Sequence, residues 1–116
     1  NISRENYEFV VEGMRQAVIE GTCASAASEN YVVCGKTGTA QNNGKDHSVF
    51  MGFAPMDNPQ IAIAVYVENG GFGATYGVPI GALMMEQYLT GTLSEESEKK
   101  VEYFANRVID YGEQTR

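Results

Sequence analysis

The sequence predicts an α+β fold in which helices pack against an antiparallel sheet of three strands. Apolar residues recur at helical spacing near both ends of the chain, whereas its middle contains three strand-like runs rich in Val, Ile and Phe. The connections between these runs are too short for the helical crossover that parallel strands need, so neighbouring strands must be antiparallel. The chain has 116 residues, which is enough for one modest domain with a buried core.

The first helix is predicted around residues 7–18. Ser3 can cap its start, because a serine hydroxyl accepts a hydrogen bond from a free N–H of the first turn, and Gly21 can end it. The apolar positions expected to form one buried stripe are Tyr7, Val10, Val11, Met14, Ala17 and Val18. Residues 22–30 are small and polar and are predicted to form a loop.

Three strands are expected in the middle of the chain. The first covers residues 31–41 and is followed by a turn at 42–46, whose Asn-Gly step suits a hairpin. The second covers residues 48–54 and the third residues 60–68. Because the apolar run at 61–67 is unbroken, we expect the third strand to be covered on both faces.

Two further helices are predicted after the strands. Pro79 lies where a first helical turn favours proline, and Gly91 can end that helix. Its expected stripe is Ile80, Leu83, Met84 and Tyr88. The apolar positions of the last, amphipathic helix are Val101, Phe104, Ala105 and Val108. We therefore divide the chain into residues 1–91 and a charged amphipathic helical tail at 92–116.

Charge and composition exclude several classes of function. The chain has 8 Lys+Arg against 15 Asp+Glu, a net charge of −7, which argues against binding to nucleic acid or to an anionic membrane surface. No apolar stretch is long enough to span a bilayer. Cys23, Cys34 and His47 cannot form a tetrahedral zinc site without several carboxylates, so no metal is predicted. We interpret His47 as a hairpin residue rather than a general base.

Residues 35–40, Gly-Lys-Thr-Gly-Thr-Ala, are the candidate functional segment. A phosphate-binding P-loop would need a glycine at Asn30 and a helix directly after the segment, and the sequence supplies neither. On a strand, alternation places Thr37 and Thr39 on one side and Lys36 on the other. Two hydroxyls and a backbone N–H on one edge can hold a carboxylate and a carbonyl oxygen of an extended peptide. A purely structural strand is the alternative.

With its flanks, this segment resembles the third active-site motif of class B penicillin-binding proteins, the Lys-Thr-Gly strand. Further segments resemble the next strand, the following hairpin and loop, and the C-terminal helix of that family: residues 47–55, 57–65, 67–71 and 79–91. The resemblance extends from Tyr7 to Gly91 and is closest to the elongation-type penicillin-binding protein 2.

The resemblance implies a fragment of the β-lactamase/transpeptidase-like fold. It implies a peptidoglycan D,D-transpeptidase that cross-links stem peptides through an acyl-serine intermediate. In that family a Ser-x-x-Lys motif comes first and a Ser-x-Asn motif second. Residues 97–100 and 28–30 spell these patterns in the wrong places, and we interpret both as chance matches. The nucleophile is therefore expected upstream of Asn1, and the fragment alone is expected to be inactive.

The resemblance also implies roles for four residues. Lys36 and Thr39 are the predicted catalytic residues: Lys36 polarises the proton relay, and the Thr39 N–H donates to the oxyanion. The predicted substrate-binding residues are Lys36, Thr37, Gly38 and Thr39. Lys36 and the two threonines hold the carboxylate of the substrate or of a β-lactam, and Gly38 leaves the strand edge clear for the ligand backbone.

The expected partners are peptidoglycan stem peptides, β-lactams and the upstream part of the same domain, with no cofactor, metal or nucleic acid. Family members are anchored in the cytoplasmic (inner) membrane with this domain on the periplasmic side, so any membrane contact is expected through an upstream anchor. Two alternatives remain open: a serine β-lactamase or D,D-carboxypeptidase of the same fold, and a non-catalytic β-lactam sensor.

Overall fold

The computed structural model describes residues 1–110, and within them it has the predicted α+β architecture. The elements are α1 (Arg4–Glu20), β1 (Cys34–Ala40), β2 (His47–Ala54), β3 (Ile61–Val67), α2 (Gly77–Thr90) and α3 (Glu95–Ala105). A single turn of 3-10 helix at Ala24–Ala26 interrupts the predicted loop between α1 and β1. The first strand begins at Cys34, three residues later than predicted.

The three strands form one antiparallel sheet in the order β1-β2-β3. Thr37 lies opposite Phe50, which lies opposite Val65, so these residues share one face, which we call the α2 face. Lys36 and Met51 share the other face, which we call the open face. Because opposite residues of paired strands project to the same side, this register fixes the face of every strand side chain.

The α2 face carries the core of the molecule. The residues of the buried core cluster are Val18, Cys23, Ala26, Val33, Phe50, Ala54, Val78 and Met85. Phe50 is the largest fully buried side chain. Two glycines of α2 bring the helix backbone against it: a Cβ at Gly77 would lie 3.1 Å from the Phe50 Cβ, and one at Gly81 would lie 2.6 Å from its ring.

The expectation that β3 is covered on both faces is wrong for the residues that the structure describes. Ile63 and Val65 are half-buried on the α2 face, whereas Ala64 and Tyr66 on the open face are exposed. An unbroken apolar run is compatible with burial of both faces of a strand, but within the described residues α2 covers only one face of β3.

Both predicted ends of α1 are confirmed, and its predicted stripe is only partly correct. The Ser3 hydroxyl accepts a hydrogen bond from the Asn6 N–H, and the Gly21 N–H donates to the Ala17 carbonyl. Of the six stripe positions only Val18 is buried, while Tyr7 is 58% exposed. The described chain covers the second half of this helix and leaves the first half in solvent.

The second helix has the predicted ends but a different buried face. Pro79 lies in its first turn, and Gly91, with φ +81°, ends it in the left-handed conformation that favours glycine. Met84 and Tyr88, predicted to be in the stripe, are exposed. The buried residues of this helix are Gly77, Val78, Gly81 and Met85. Gly77 and Gly81 determine which face of the helix packs on the sheet, because only residues without a side chain let the helix backbone approach Phe50 closely.

The predicted last helix is confirmed as α3, but it is shorter than expected. Its N-cap is Ser94, whose hydroxyl accepts from the Ser97 N–H, and Val108 lies beyond its end, 85% exposed. Residues 111–116 of the predicted tail lie outside the described part of the chain. A division of the chain at residue 91 stays a prediction. No helix within residues 1–110 has the length and apolar character needed to cross a membrane.

Candidate active site

The four predicted site residues lie together in the middle of β1. Within residues 1–110 this strand pairs only with β2, so its other side is an edge of the sheet. Lys36 and Thr39 are exposed, and Thr37 and Gly38 are half-buried. An edge strand offers unpaired backbone groups to an extended ligand.

The pairing register places the two threonines on one side of this strand. Thr37 lies opposite Phe50 and Thr39 lies opposite Ser48, so both belong to the α2 face. Lys36 lies opposite Met51 on the open face. Its ammonium group folds back and donates a hydrogen bond of 2.6 Å to the Thr37 carbonyl oxygen. The cation therefore lies beside the segment that carries both hydroxyls.

Gly38 and Gly73, two of the glycines near the site, have very different surroundings. A Cβ at Gly38 would make ordinary contact with Val49 at 3.5 Å, so nothing in the described chain requires glycine there. A Cβ at Gly73 would lie 2.5 Å from the Val49 carbonyl oxygen and 2.9 Å from the Thr37 Cβ, a clash with backbone. The role of Gly38 in clearing space for a ligand stays a prediction, whereas Gly73 is required by packing beside Thr37.

Ser48, which is not among the predicted site residues, fixes the segment that contains Gly73. Its buried hydroxyl donates to the Phe72 carbonyl oxygen at 2.8 Å and accepts from the Gly77 N–H at 3.1 Å. The segment between β3 and α2 is thereby held against the α2 face of β1. One sequence signal could have revealed this residue: a serine on the buried side of a strand needs hydrogen-bond partners.

A second structural link, also not predicted, comes from the corner after α1. The Thr22 hydroxyl lies 2.7 Å from the Thr37 hydroxyl. Cys23, next in sequence, is fully buried beside them. Burial raises the pKa of the Cys23 thiol, while the Thr22 hydroxyl, the Lys36 charge and the Thr37 N–H oppose that rise. The thiol is therefore protonated at neutral pH and is not an activated nucleophile.

The residues that spell the two displaced motifs have structural partners instead. Ser97 is buried in the first turn of α3, and its hydroxyl donates a hydrogen bond to the carboxylate of Glu86 in α2. The Ser28 hydroxyl accepts from the Asn30 N–H in the loop before β1. His47 begins β2, where its Nδ1 accepts from the Asn69 N–H at 3.0 Å. These contacts agree with the interpretation of all three as structural residues.

The site thus offers hydrogen-bond donors and one cation along a strand edge. Hydroxyl, ammonium and backbone N–H groups bind carboxylate and carbonyl oxygens well. Within residues 1–110 no group of three or more His, Cys, Asp or Glu side chains is placed to hold a metal ion. The arrangement can bind an anionic, extended ligand along β1.

Comparison with known families supports the resemblance found in the sequence. The model of the penicillin-binding protein transpeptidase domain matches residues 1–87. The chain is 34% identical over 108 residues to the peptidoglycan D,D-transpeptidase MrdA of Haemophilus influenzae, covering 77% of this chain and 17% of that protein. It is 39% identical over 99 residues to the stage V sporulation protein D of Bacillus subtilis, covering 76% of this chain and 15% of that protein.

Solved structures show the same similarity. Pseudomonas aeruginosa PBP2, in complex with WCK 5153, matches with a TM-score of 0.69 and 39% identity over 83% of this chain and 23% of that one. The ceftriaxone acyl-enzyme complex of penicillin-binding protein A from M. tuberculosis matches with a TM-score of 0.69 and 28% identity over 76% of this chain and 22% of that one. The chain therefore spans less than a quarter of each of these relatives.

Proposed function

Because this chain belongs to the penicillin-binding protein transpeptidase family, we propose that it forms the C-terminal part of the catalytic domain of a peptidoglycan D,D-transpeptidase of the elongation type. Relatives named peptidoglycan D,D-transpeptidase MrdA and the structure of PBP2 support this assignment. The complete enzyme joins the stem peptides of neighbouring peptidoglycan strands.

In the proposed reaction, a serine upstream of this chain attacks the carbonyl carbon between the two terminal D-alanines of a stem peptide. The peptide C–N bond breaks, the terminal D-alanine leaves with the serine proton on its nitrogen, and an acyl-serine ester forms. An amine from a neighbouring strand then attacks the ester, and the serine regains its proton. A β-lactam stops at the ester stage, because its ring opens on the same serine without releasing a leaving group.

The observation that carries the proposal is the exposed edge of β1 with its row of donors. Lys36 is the only one of these groups with a full positive charge, and it lies beside the Thr37 carbonyl oxygen. In our proposal Lys36 and the hydroxyls of Thr37 and Thr39 hold the ligand carboxylate. Hydrogen bonds to a charged group contribute about 1.5–3 kcal/mol each, so this cluster can orient an anionic ligand.

The Thr39 N–H is our candidate for one oxyanion donor. The Thr37 carbonyl oxygen accepts from the Lys36 ammonium, and the Thr37 N–H lies close enough to the Cys23 thiol to lower its pKa, so both backbone groups of Thr37 point to the free edge of the strand. Residues two apart on a strand direct their N–H groups the same way, and the Thr39 N–H therefore points to that edge as well. An oxyanion donor acts on charge that develops during the reaction, which is where a hydrogen bond accelerates it most.

The partners and location of the complete enzyme follow from the same proposal. β-Lactams are proposed ligands, because the M. tuberculosis relative was captured as an acyl-enzyme with one. The upstream part of the domain is proposed to cover the open face, where Met51 and Tyr66 are exposed. We place the domain on the periplasmic side of the cytoplasmic membrane, held by an upstream anchor. Neither nucleic acid, metal nor cofactor takes part.

A serine β-lactamase or D,D-carboxypeptidase could use the same strand, and a β-lactam sensor could keep it without catalysis. The similar proteins favour the transpeptidase, since those of Haemophilus influenzae and Acinetobacter baumannii are both named peptidoglycan D,D-transpeptidases.

Labelled penicillin tests the proposal directly. The complete protein is expected to take up one label on a serine outside residues 1–116, and peptide mapping locates it. Residues 1–116 alone are expected to remain unlabelled under the same conditions. A stoichiometric adduct on a serine within residues 1–116, or an unlabelled complete protein, would contradict the assignment.

A further inference from the structure

Thr22 occupies a fixed position at the corner between α1 and the 3-10 turn. The N–H groups of Gly21 and Cys23 both donate to the Ala17 carbonyl oxygen, at 3.1 and 2.9 Å. A Cβ at Gly21 would lie 2.9 Å from the Ala17 Cα, so this tight corner requires glycine. The fully buried Cys23 anchors the other side of Thr22. The corner therefore holds the Thr22 backbone on both sides, while its side chain is exposed.

From that position Thr22 reaches the candidate site. Its hydroxyl oxygen lies 2.7 Å from the Thr37 hydroxyl oxygen, and either can be the donor. The two residues are fifteen positions apart in sequence, so the hydrogen bond joins the end of α1 to the middle of β1. The Thr37 carbonyl is already occupied by the Lys36 ammonium. The Thr37 hydroxyl is thus the group of this residue that is left to meet a ligand.

The direction of this hydrogen bond matters when an anion binds. A hydroxyl has one proton to donate and two lone pairs to accept with, whereas a carboxylate can only accept. Thr37 must therefore give its single proton to the ligand, and its contact with Thr22 must run the other way, from the Thr22 hydroxyl to the Thr37 oxygen. When a hydroxyl oxygen accepts a hydrogen bond, it becomes a stronger donor through its own proton. Donation from Thr22 therefore strengthens the hydrogen bond from Thr37 to the ligand.

We propose that Thr22 is a positioning residue that orients and polarises the Thr37 hydroxyl toward the carboxylate of the ligand. This inference rests on the proposed function, because it assigns to Thr37 the binding of a substrate or β-lactam carboxylate. Without the Thr22 hydroxyl, the Thr37 hydroxyl can rotate toward water and loses its direction. The ligand class in question is a carboxylate-bearing acyl donor.

The test compares two acyl donors on the complete transpeptidase: benzylpenicillin and its methyl ester, which lacks the anionic charge. The variants are Thr22→Val, which keeps the shape and removes the hydroxyl, and Thr22→Ser, which keeps the hydroxyl. Thr22→Val is expected to slow acylation by benzylpenicillin about fivefold to tenfold, the effect of weakening one hydrogen bond to a charged group. Acylation by the ester is expected to change less than twofold, and Thr22→Ser to restore most of the rate.

A double-variant cycle separates positioning from a general structural effect. If Thr22 acts through Thr37, then Thr22→Val adds no further loss in a Thr37→Val background. Thermal unfolding of each variant checks the fold, and Thr22→Ala removes the same hydroxyl if the valine perturbs the corner. Equal slowing with both acyl donors, no slowing with either, or full additivity with Thr37→Val would overturn the inference.

The same measurements distinguish this inference from the proposed function. If the unmodified complete protein forms no adduct with benzylpenicillin, the proposed function fails and the role of Thr22 fails with it. If that protein is acylated normally and Thr22→Val does not discriminate between the penicillin and its ester, only the role of Thr22 is wrong.

Discussion

The two faces of the sheet differ although the same three strands build them. On the α2 face Phe50 is fully buried under α2, whereas its neighbour Met51 on the open face is 52% exposed. Two glycines of α2 create the first environment, because they let the helix backbone touch the Phe50 ring. On the open face Cys34 is buried near the Glu12 and Arg15 charges of α1, but Met51 and Tyr66 are exposed, and within residues 1–110 no helix packs on them as α2 packs on Phe50. The α2 face is thus a buried core, whereas the open face leaves two large apolar side chains in solvent.

The largest expected effect is on the completed core. Phe50→Ala is expected to destabilise the chain by about 3–5 kcal/mol, because it removes the largest buried side chain and leaves a cavity under α2. The control is Met51→Ala, expected to change the free energy of unfolding by less than about 0.5 kcal/mol in residues 1–116. Urea unfolding measures both. Similar losses for the two variants would contradict the difference between the faces.

The glycine contact itself can be tested with a matched pair of substitutions in helices. Gly81→Ala places a Cβ 2.6 Å from the Phe50 ring and is expected to cost about 1–3 kcal/mol through overpacking. Gly13→Ala in α1 meets nothing within 4 Å, and it is expected to stabilise the chain by about 0.5–1 kcal/mol through helix propensity. Stabilisation by both substitutions would show that α2 does not depend on close approach to Phe50.

The open face allows a sharper form of the comparison, since our proposal has the upstream part of the domain cover it. Met51→Ser is expected to be nearly neutral in residues 1–116 and to destabilise the complete protein by about 1–3 kcal/mol, the transfer free energy of a buried side chain of this size. Thermal unfolding of both proteins gives the two values. Equal effects in the two proteins would mean that Met51 stays exposed in the complete domain.

The smallest expected effect concerns the protonation of the buried thiols. Burial is the main cause that raises the pKa values of Cys23 and Cys34. The folded state therefore holds these protons more tightly than the unfolded state, so the stabilisation is present below the ordinary thiol value of 9.0 and is lost as pH rises through the raised pKa. The urea concentration at the midpoint of unfolding is expected to be lower at pH 10 than at pH 8, and this difference is expected to be smaller in Cys23→Ala. If the difference between the two midpoints is the same in Cys23→Ala, the loss of stability at high pH comes from other groups.

The sequence predicts the elements better than it predicts their faces. The caps Ser3 and Gly21, the helix end at Gly91 and the three-strand order are local properties, and all are confirmed. The predicted buried stripe of α2 is wrong because hydrophobic periodicity counts large apolar residues such as Met84, which is exposed. The helix instead packs through Gly81, because only a residue without a side chain fits against the Phe50 ring. Close approach of two elements is a tertiary property that one-dimensional periodicity does not contain.

The candidate site shows the same division. The alternation of Lys36, Thr37 and Thr39 on β1 follows from strand geometry, and the pairing register confirms it. Thr22 and Ser48 escaped prediction, because their contacts with Thr37 and the Phe72 carbonyl span 15 and 24 positions of sequence. For Thr22 no local signal exists, since a threonine in a polar loop is common. For Ser48 the one signal is a serine on the buried side of a strand, and that signal does not identify its partners. Only the folded chain brings them to β1.

The assignment of β1 as the active-site strand is tested by the rate at which benzylpenicillin acylates the complete protein when β1 is altered. We expect Lys36→Ala and Thr37→Val each to lower the second-order rate constant about tenfold to a hundredfold, the effect of losing one charge-assisted hydrogen bond, with little loss of thermal stability. The control is Lys45→Ala in the exposed β1–β2 turn, which should leave the rate constant unaltered. Unchanged rate constants in both β1 variants would contradict the assignment of this strand as the site.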